Sequence, residues 1–241
     1  MRLTDFDVLT FDMIGTLIDF EQGMLDFARP RLLRAKPEVT DTEILETYAG
    51  VQGEVRTRAP ELLFSARLPK IWEGVAARYG VAVEPTDGTA FVRSARHWPA
   101  FSDSAAALAE LKRHFRFLVV VTNGDRASAR VMANTLGSPF SEIITEEDMG
   151  VAKPDPRAFQ YFIAHLERLG VKRERILHVA QSQYHDIGAA HAAGLTTAWI
   201  YRRHGQPGYG GTQVPPRYTP PDFLAVSLAD LVRQYQLDLA A

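Results

Sequence analysis

The stretch FDMIGTLID, residues 11–19, ends an apolar run on Asp12 and turns at once through Gly15 and Thr16. A carboxylate so placed can act as a nucleophile when it is desolvated and aimed, dividing one displacement into two through a covalent intermediate. The hydroxyl of Thr16 is near enough in sequence to position it. Ile14, two residues on, is a hydrocarbon where a second carboxylate would supply general acid and base chemistry. Three other places carry groups of suitable type: Thr122-Asn123 after FLVVV, Lys153 in KPDP, and the run from Gln181 through Ser182, Gln183 and His185 to Asp186.

Each has a plainer reading alone. Asp12 could cap the Gly15-Thr16 turn, and Asn123 could be a turn residue. Lys153 could be a surface charge, and Asp186 could cap the helix that follows it. His185 adjoins Asp186, but sequence neighbours point in different directions, so it is read as structural or peripheral.

These residues make one site only if the fold gathers them. Four short runs rich in Val, Ile and aromatics read as strands buried on both faces: residues 6–11 (FDVLTF), 117–122 (FLVVVT), 176–180 (ILHVA) and 196–201 (TTAWIY). Helical patterns separate several of them. One covers 104–114 after the cap candidate Asp103, one covers 127–136, and one covers 156–169, with Pro156 opening the first turn and Gly170 beyond the end. The alternation predicts an α/β fold with a doubly wound, Rossmann-like parallel sheet. Ligands of such sheets sit at the carboxyl ends of the strands, where Asp12, Asn123 and Asp186 fall.

Residues 19–95 break the alternation. Segments 41–48 and 68–79 have helical spacing with no strand between them, which predicts a helical cap domain of residues 19–95 inserted into a core domain of residues 1–18 and 96–241. Residues 202–222 are dense in Gly and Pro and read as an irregular loop. Residues 227–237 read as a closing helix.

Composition narrows the partners. The 241 residues are 46% hydrophobic and 23% charged, with a net charge of −2, which gives no reason to expect nucleic acid or an anionic membrane. There are no cysteines, so disulfides and thiol nucleophiles are excluded. No apolar run approaches the ~18 residues of a membrane span. With no basic segment leading into an apolar stretch at the start, the expectation is a cytoplasmic protein.

Taken in order, DMIGTL, VVVTNGD, AKPDP and VAQSQYHDIGAAHAAGL resemble the four motifs of the haloacid dehalogenase (HAD) superfamily, with the helical insert between the first two. The resemblance implies that Asp12 is the nucleophile, that Thr16 orients it, and that Lys153 holds it ionised. Asp186 is implied as an orienter of Lys153 or an activator of water. Ile14, Thr122, Asn123, Ser182 and Gln183 are implied as substrate-contacting positions.

Two departures from the superfamily's magnesium phosphatases shape the expected reaction. Ile14 replaces their acid-base carboxylate, and Gln181 replaces a magnesium ligand. Halide leaves carbon as a stable anion without protonation or metal, so the chain resembles the type II 2-haloacid dehalogenases, which need no cofactor. Alternatives are a phosphatase with an altered Mg2+ site and a non-catalytic protein that binds a small acid or a partner. The dehalogenases grip the substrate carboxylate with a cap arginine; alignment places Ala49 there, with Arg31, Arg34, Arg56 and Arg58 as substitutes. Phe159 and Gln183 stand where that family has tyrosine and asparagine. A small-molecule substrate is expected, and a homodimer by analogy with relatives.

Overall fold

A computed structural model describes all residues from Met1 to Ala241. Six strands form one parallel sheet: β1 (Val8–Phe11), β2 (Phe117–Thr122), β3 (Glu142–Thr145), β4 (Ile176–Ala180), β5 (Thr196–Ile200) and β6 (Phe223–Ala225). Their order is β3-β2-β1-β4-β5-β6. β1 lies at the centre, with Phe11 opposite Val120 on one side and Val179 on the other. The order therefore reverses at β1, and the crevice beyond its carboxyl end is where a doubly wound sheet places its ligand.

The central strands are buried on both faces, which explains their continuous apolar runs. Alternate residues supply opposite layers. Leu9, Phe11, Leu118 and Val120 join one apolar cluster, and Val8, Val119 and Val121 join the other. β3 and β6 escape the sequence reading because they are short edge strands, EIIT and FLA, with only partial burial.

Four helices lie between β1 and β2 in the expected insert: α1 (Phe20–Leu32), α2 (Asp41–Arg58), α3 (Phe64–Tyr79) and α4 (Asp87–Ala95). α2 runs well beyond residue 48, and α3 begins four residues before 68 with Pro69 inside it. Pro69 falls in the second turn, close enough to the helix start that little of the hydrogen-bond ladder is lost. The insert shares its core with the sheet. Phe20, Phe64 and Trp98 belong to the same apolar cluster as Leu9 and Phe11. The chain leaves and re-enters the sheet layer side by side, with Asp19 N donating to Pro99 O at 2.7 Å.

The remaining helices are α5 (Ser104–Leu111), α6 (Arg126–Thr135), α7 (Glu146–Met149), α8 (Pro156–Arg168), α9 (Gly188–Ala192) and α10 (Leu228–Ala240). Asp103 precedes α5 but its side chain does not cap that helix. It accepts instead from Leu228 N and Ala229 N, capping α10 across the fold, and pairs with Arg202 at 2.8 Å. No helix is long and apolar enough to cross a membrane.

Candidate active site

Asp12 directly follows β1 and its amide donates to Val179 O, so the sheet ladder continues through it. Gly15 then takes φ +96°, a backbone region that glycine enters without steric cost, and this turns the chain back so that Thr16 faces Asp12. Thr16 Oγ1 donates to Asp12 Oδ2 at 2.8 Å and accepts from Gln181 N at 2.9 Å. One hydroxyl thereby ties the loop after β1 to the loop after β4.

Lys153 is completely buried, and its ammonium has three partners for three protons. Nζ donates to Asp12 Oδ1 at 3.1 Å, to Asp186 Oδ1 at 2.5 Å and to Val121 O at 2.7 Å. Burial pushes the Asp12 carboxyl up to about 6, against the pull of Lys153. Burial also opposes ionisation of Asp186, yet Lys153 and a hydrogen bond from His178 more than offset it and hold that group at about 2. Both carboxylates are therefore ionised at neutral pH, and their charge keeps Lys153 protonated despite its burial.

Asp186 lies within a π-helical turn, Gln183–Ile187, whose N-terminal cap is Ser182. The capping reading for Asp186 therefore does not hold. Its Oδ1 accepts from Lys153 and from His178 Nε2 at 3.1 Å, and His178 Nδ1 lies 2.9 Å from Thr10 Oγ1. Because Asp186 is an acceptor, His178 carries its proton on Nε2 and accepts from Thr10. His178 escaped the sequence reading, although a histidine inside a strand buried on both faces was a visible signal that a polar partner lay beneath the sheet end.

The insert roofs this cluster and leaves a cavity of about 60 Å³. Tyr48, Gln52 and Arg56 line it from α2, at i, i+4 and i+8. Phe64, Arg67 and Ile71 line it from α3, at i, i+3 and i+7. These are the spacings that place residues on one helix face. Gly211 and Thr212 close one side, so the Gly- and Pro-rich loop is a wall of the site. A Cβ at Gly211 would stand 2.7 Å from the Phe20 ring, which explains glycine there.

The two cavity arginines differ. Arg67 pairs with Glu146 at 2.8 Å, both side chains being buried. Arg56 donates from Nη1 to Lys153 O at 2.9 Å, while its buried Nε has no partner and no carboxylate pairs with it. Burial and the neighbouring Arg67 lower its pKa to about 10, so it remains cationic. The other sequence candidates lie elsewhere: Arg31 pairs with Asp87, Arg58 with Glu54, and Arg34 is exposed. Ala49 is buried but is not part of the lining.

Of the expected substrate contacts, Ile14, Thr122, Asn123 and Ser182 line the cavity. Asn123 also holds the Lys153 backbone through both ends of its amide. Gln183 does not reach the cavity, because its amide exchanges hydrogen bonds with the backbone of Thr219 at 3.0 and 3.1 Å. Phe159 packs on Phe162 and His178 beneath the sheet. His185, expected to be structural or peripheral, lines the cavity together with Asp186.

A magnesium ion prefers a near-octahedral set of hard oxygens, with one or two carboxylates accompanied by substrate phosphate and water. Asp12 and Asp186 here share the Lys153 ammonium, and the neighbouring positions are the Ile14 hydrocarbon and the Gln181 amide. Asp186 Oδ2 alone lacks a partner. A cation already occupies the space between the carboxylates, so this donor set does not fit the ion.

A family model of haloacid dehalogenase-like hydrolases matches residues 6–194. The phosphoserine phosphatase of Thermus thermophilus is 30% identical over 115 residues, covering 47% of this chain and 45% of that protein. The (S)-2-haloacid dehalogenase of Pseudomonas putida is 33% identical over 111 residues, covering 45% of this chain and 47% of that protein. The matches thus span about half the length of these curated relatives. Among solved structures, a defluorinating L-2-haloacid dehalogenase shares the fold with a TM-score of 0.77 and 21% identity, over 98% of this chain and 99% of its own. The motif order, the parallel sheet and the family match agree: the chain belongs to the haloacid dehalogenase-like hydrolases.

Proposed function

We propose that this hydrolase removes halide from short 2-haloacids without a metal, through an aspartyl-ester intermediate. The observation that carries the reading is Arg56, a half-buried guanidinium with an unpartnered Nε and no carboxylate bonded to it, lining the same small cavity as Asp12. A cation held in a cavity with no carboxylate bonded to it is stabilised when an anion joins it, and a substrate carboxylate supplies that anion. Residues 1–18 and 96–241 would act as the core domain and residues 19–95 as the cap that brings Arg56 over the nucleophile.

In the first step an oxygen of Asp12 bonds to the α-carbon and the carbon–halogen bond breaks, its electron pair leaving as halide. Lys153 and Thr16 hold the carboxylate in line. In the second step water attacks the ester carbonyl carbon, with Asp186 accepting one of its protons. The bond from that carbon to the substrate oxygen then breaks, the proton passes to that oxygen to release the hydroxyacid, and the Asp12 carboxyl formed loses its own proton to solvent. Ile14 suits a leaving group that needs no proton, as halide does.

The experiment is halide release from 2-chloropropanoate in the presence of a chelator, run beside phosphate release from p-nitrophenyl phosphate with magnesium. Chelator-resistant halide release that Asp12→Asn abolishes is the expected result. Magnesium-dependent phosphate release alone would replace this reading with the phosphatase one. Inactivity in both, with thermal stabilisation by small acids, would leave a binding protein.

A further inference from the structure

One polar pair interrupts an apolar layer of the core. Thr10 on β1 stands directly opposite His178 on β4, and both are fully buried. Their neighbours on the same strand faces, Val8 and Ile176, belong to an apolar cluster with Phe159 and Phe162. The His178 ring packs on those two phenylalanines, its centroid 5.9 Å from each. Burying two polar groups here costs free energy that two aliphatic side chains would not. Packing alone does not explain the pair.

The pair leads to Asp186. Thr10 Oγ1 donates to His178 Nδ1 over 2.9 Å, which leaves the ring proton on Nε2, and Nε2 donates to Asp186 Oδ1 at 3.1 Å. Lys153 Nζ donates to that same oxygen, so both donors fall on Oδ1 and none on Oδ2. An ammonium is a point charge with rotatable donors, and by itself it fixes a carboxylate's direction weakly. A ring set in a central strand offers its N–H in one direction only.

We propose that His178 is a positioning residue for the second step, holding the Asp186 carboxylate in the orientation that accepts the attacking water's proton. This role rests on the dehalogenase reading and its ester intermediate. The first step uses Asp12, Lys153 and Thr16, none of which is hydrogen-bonded to His178. The second step needs Asp186 aimed, and a misplaced group is amplified in the rate. The sign of the effect separates orientation from charge. Burial opposes the negative charge of Asp186, and Lys153 and then the His178 hydrogen bond offset it. Removing the His178 donor makes Asp186 more basic, which by itself would quicken proton acceptance. Loss of orientation slows it.

The test is rapid-quench kinetics on 2-chloropropanoate, following halide release, hydroxyacid release and the mass of the peptide containing Asp12. Thr10→Val combined with His178→Phe replaces both members of the pair by apolar groups of similar shape, the least disruptive way to remove a buried hydrogen bond. Ester formation should stay within about twofold, while ester hydrolysis falls roughly 10- to 100-fold. Halide should then appear in a burst, with the ester standing on Asp12. His178→Gln restores an N–H near the place of Nε2 and should recover part of the hydrolysis rate. Should the double variant not fold, Thr10→Val alone leaves the ring without its donor and should slow the same step by a smaller factor. An equal loss in both steps, or hydrolysis unchanged or faster, would overturn the positioning role while leaving the dehalogenase reading intact. No halide release by the unmodified protein would overturn both.

Discussion

The side-chain amide of Asn123 brackets the backbone of Lys153, accepting from Lys153 N at 2.7 Å and donating to Lys153 O at 2.8 Å. The same Lys153 carbonyl accepts from Arg56. One residue at the end of β2 thus fixes the backbone that carries the ammonium paired with Asp12 and that holds the Arg56 guanidinium over the cavity. Asn123→Ala should lower the unfolding free energy by about 1–3 kcal/mol, the cost of unmaking buried hydrogen bonds. Halide release should fall further than stability, by about 100-fold, because misplacing catalytic groups is amplified in the rate. Urea denaturation and steady-state kinetics on one preparation separate the two effects.

If Asp12 forms an ester that water cleaves at the carbonyl, the product's new oxygen comes from the protein in the first turnover. A single turnover in 18O-water should leave the hydroxyacid unlabelled and add one heavy oxygen to the peptide containing Asp12. Label appearing first in the product would mean direct attack by water.

The pH profile follows from the raised Asp12. The nucleophile must be ionised, and burial has moved its pKa up to about 6, so the ionised fraction falls as pH drops through that value. kcat/KM should decline about tenfold per unit below pH 6. Lys153 pulls the Asp12 pKa down, so Lys153→Met should move the limb upward. Loss of that buried cation should also cost about 3–5 kcal/mol of stability by leaving two carboxylates uncompensated.

Arg56→Ala should raise KM for 2-haloacids by roughly 10- to 100-fold, as expected for losing charge-assisted hydrogen bonds. Arg58→Ala should leave kinetics unchanged, since that side chain is exposed and pairs only with Glu54. Equal effects of the two substitutions would remove Arg56 from the substrate site.

Gly211→Ala tests the loop as a wall of the site. Its Cβ would press on the Phe20 ring, and overpacking of this kind costs about 1–3 kcal/mol. The melting temperature should fall, and activity should fall with it if the wall shapes the cavity.

The sequence by itself determined the parallel core and the four loops that carry Asp12, Asn123, Lys153 and Asp186. Strands buried on both faces are written as continuous apolar runs, and their carboxyl ends are fixed by where those runs stop. It also showed the hydrocarbon at Ile14. Only the tertiary structure decided which of four candidate arginines lines the cavity with Asp12. Arg31, Arg34, Arg56 and Arg58 look alike as helix charges, and the packing of α2 over the sheet selected Arg56. The same holds for His178 beneath Asp186, for Asp103 capping a helix 125 residues away, and for His185, which lines the cavity beside Asp186. Those outcomes depend on partners distant in the chain and on local backbone geometry, neither of which residue spacing encodes.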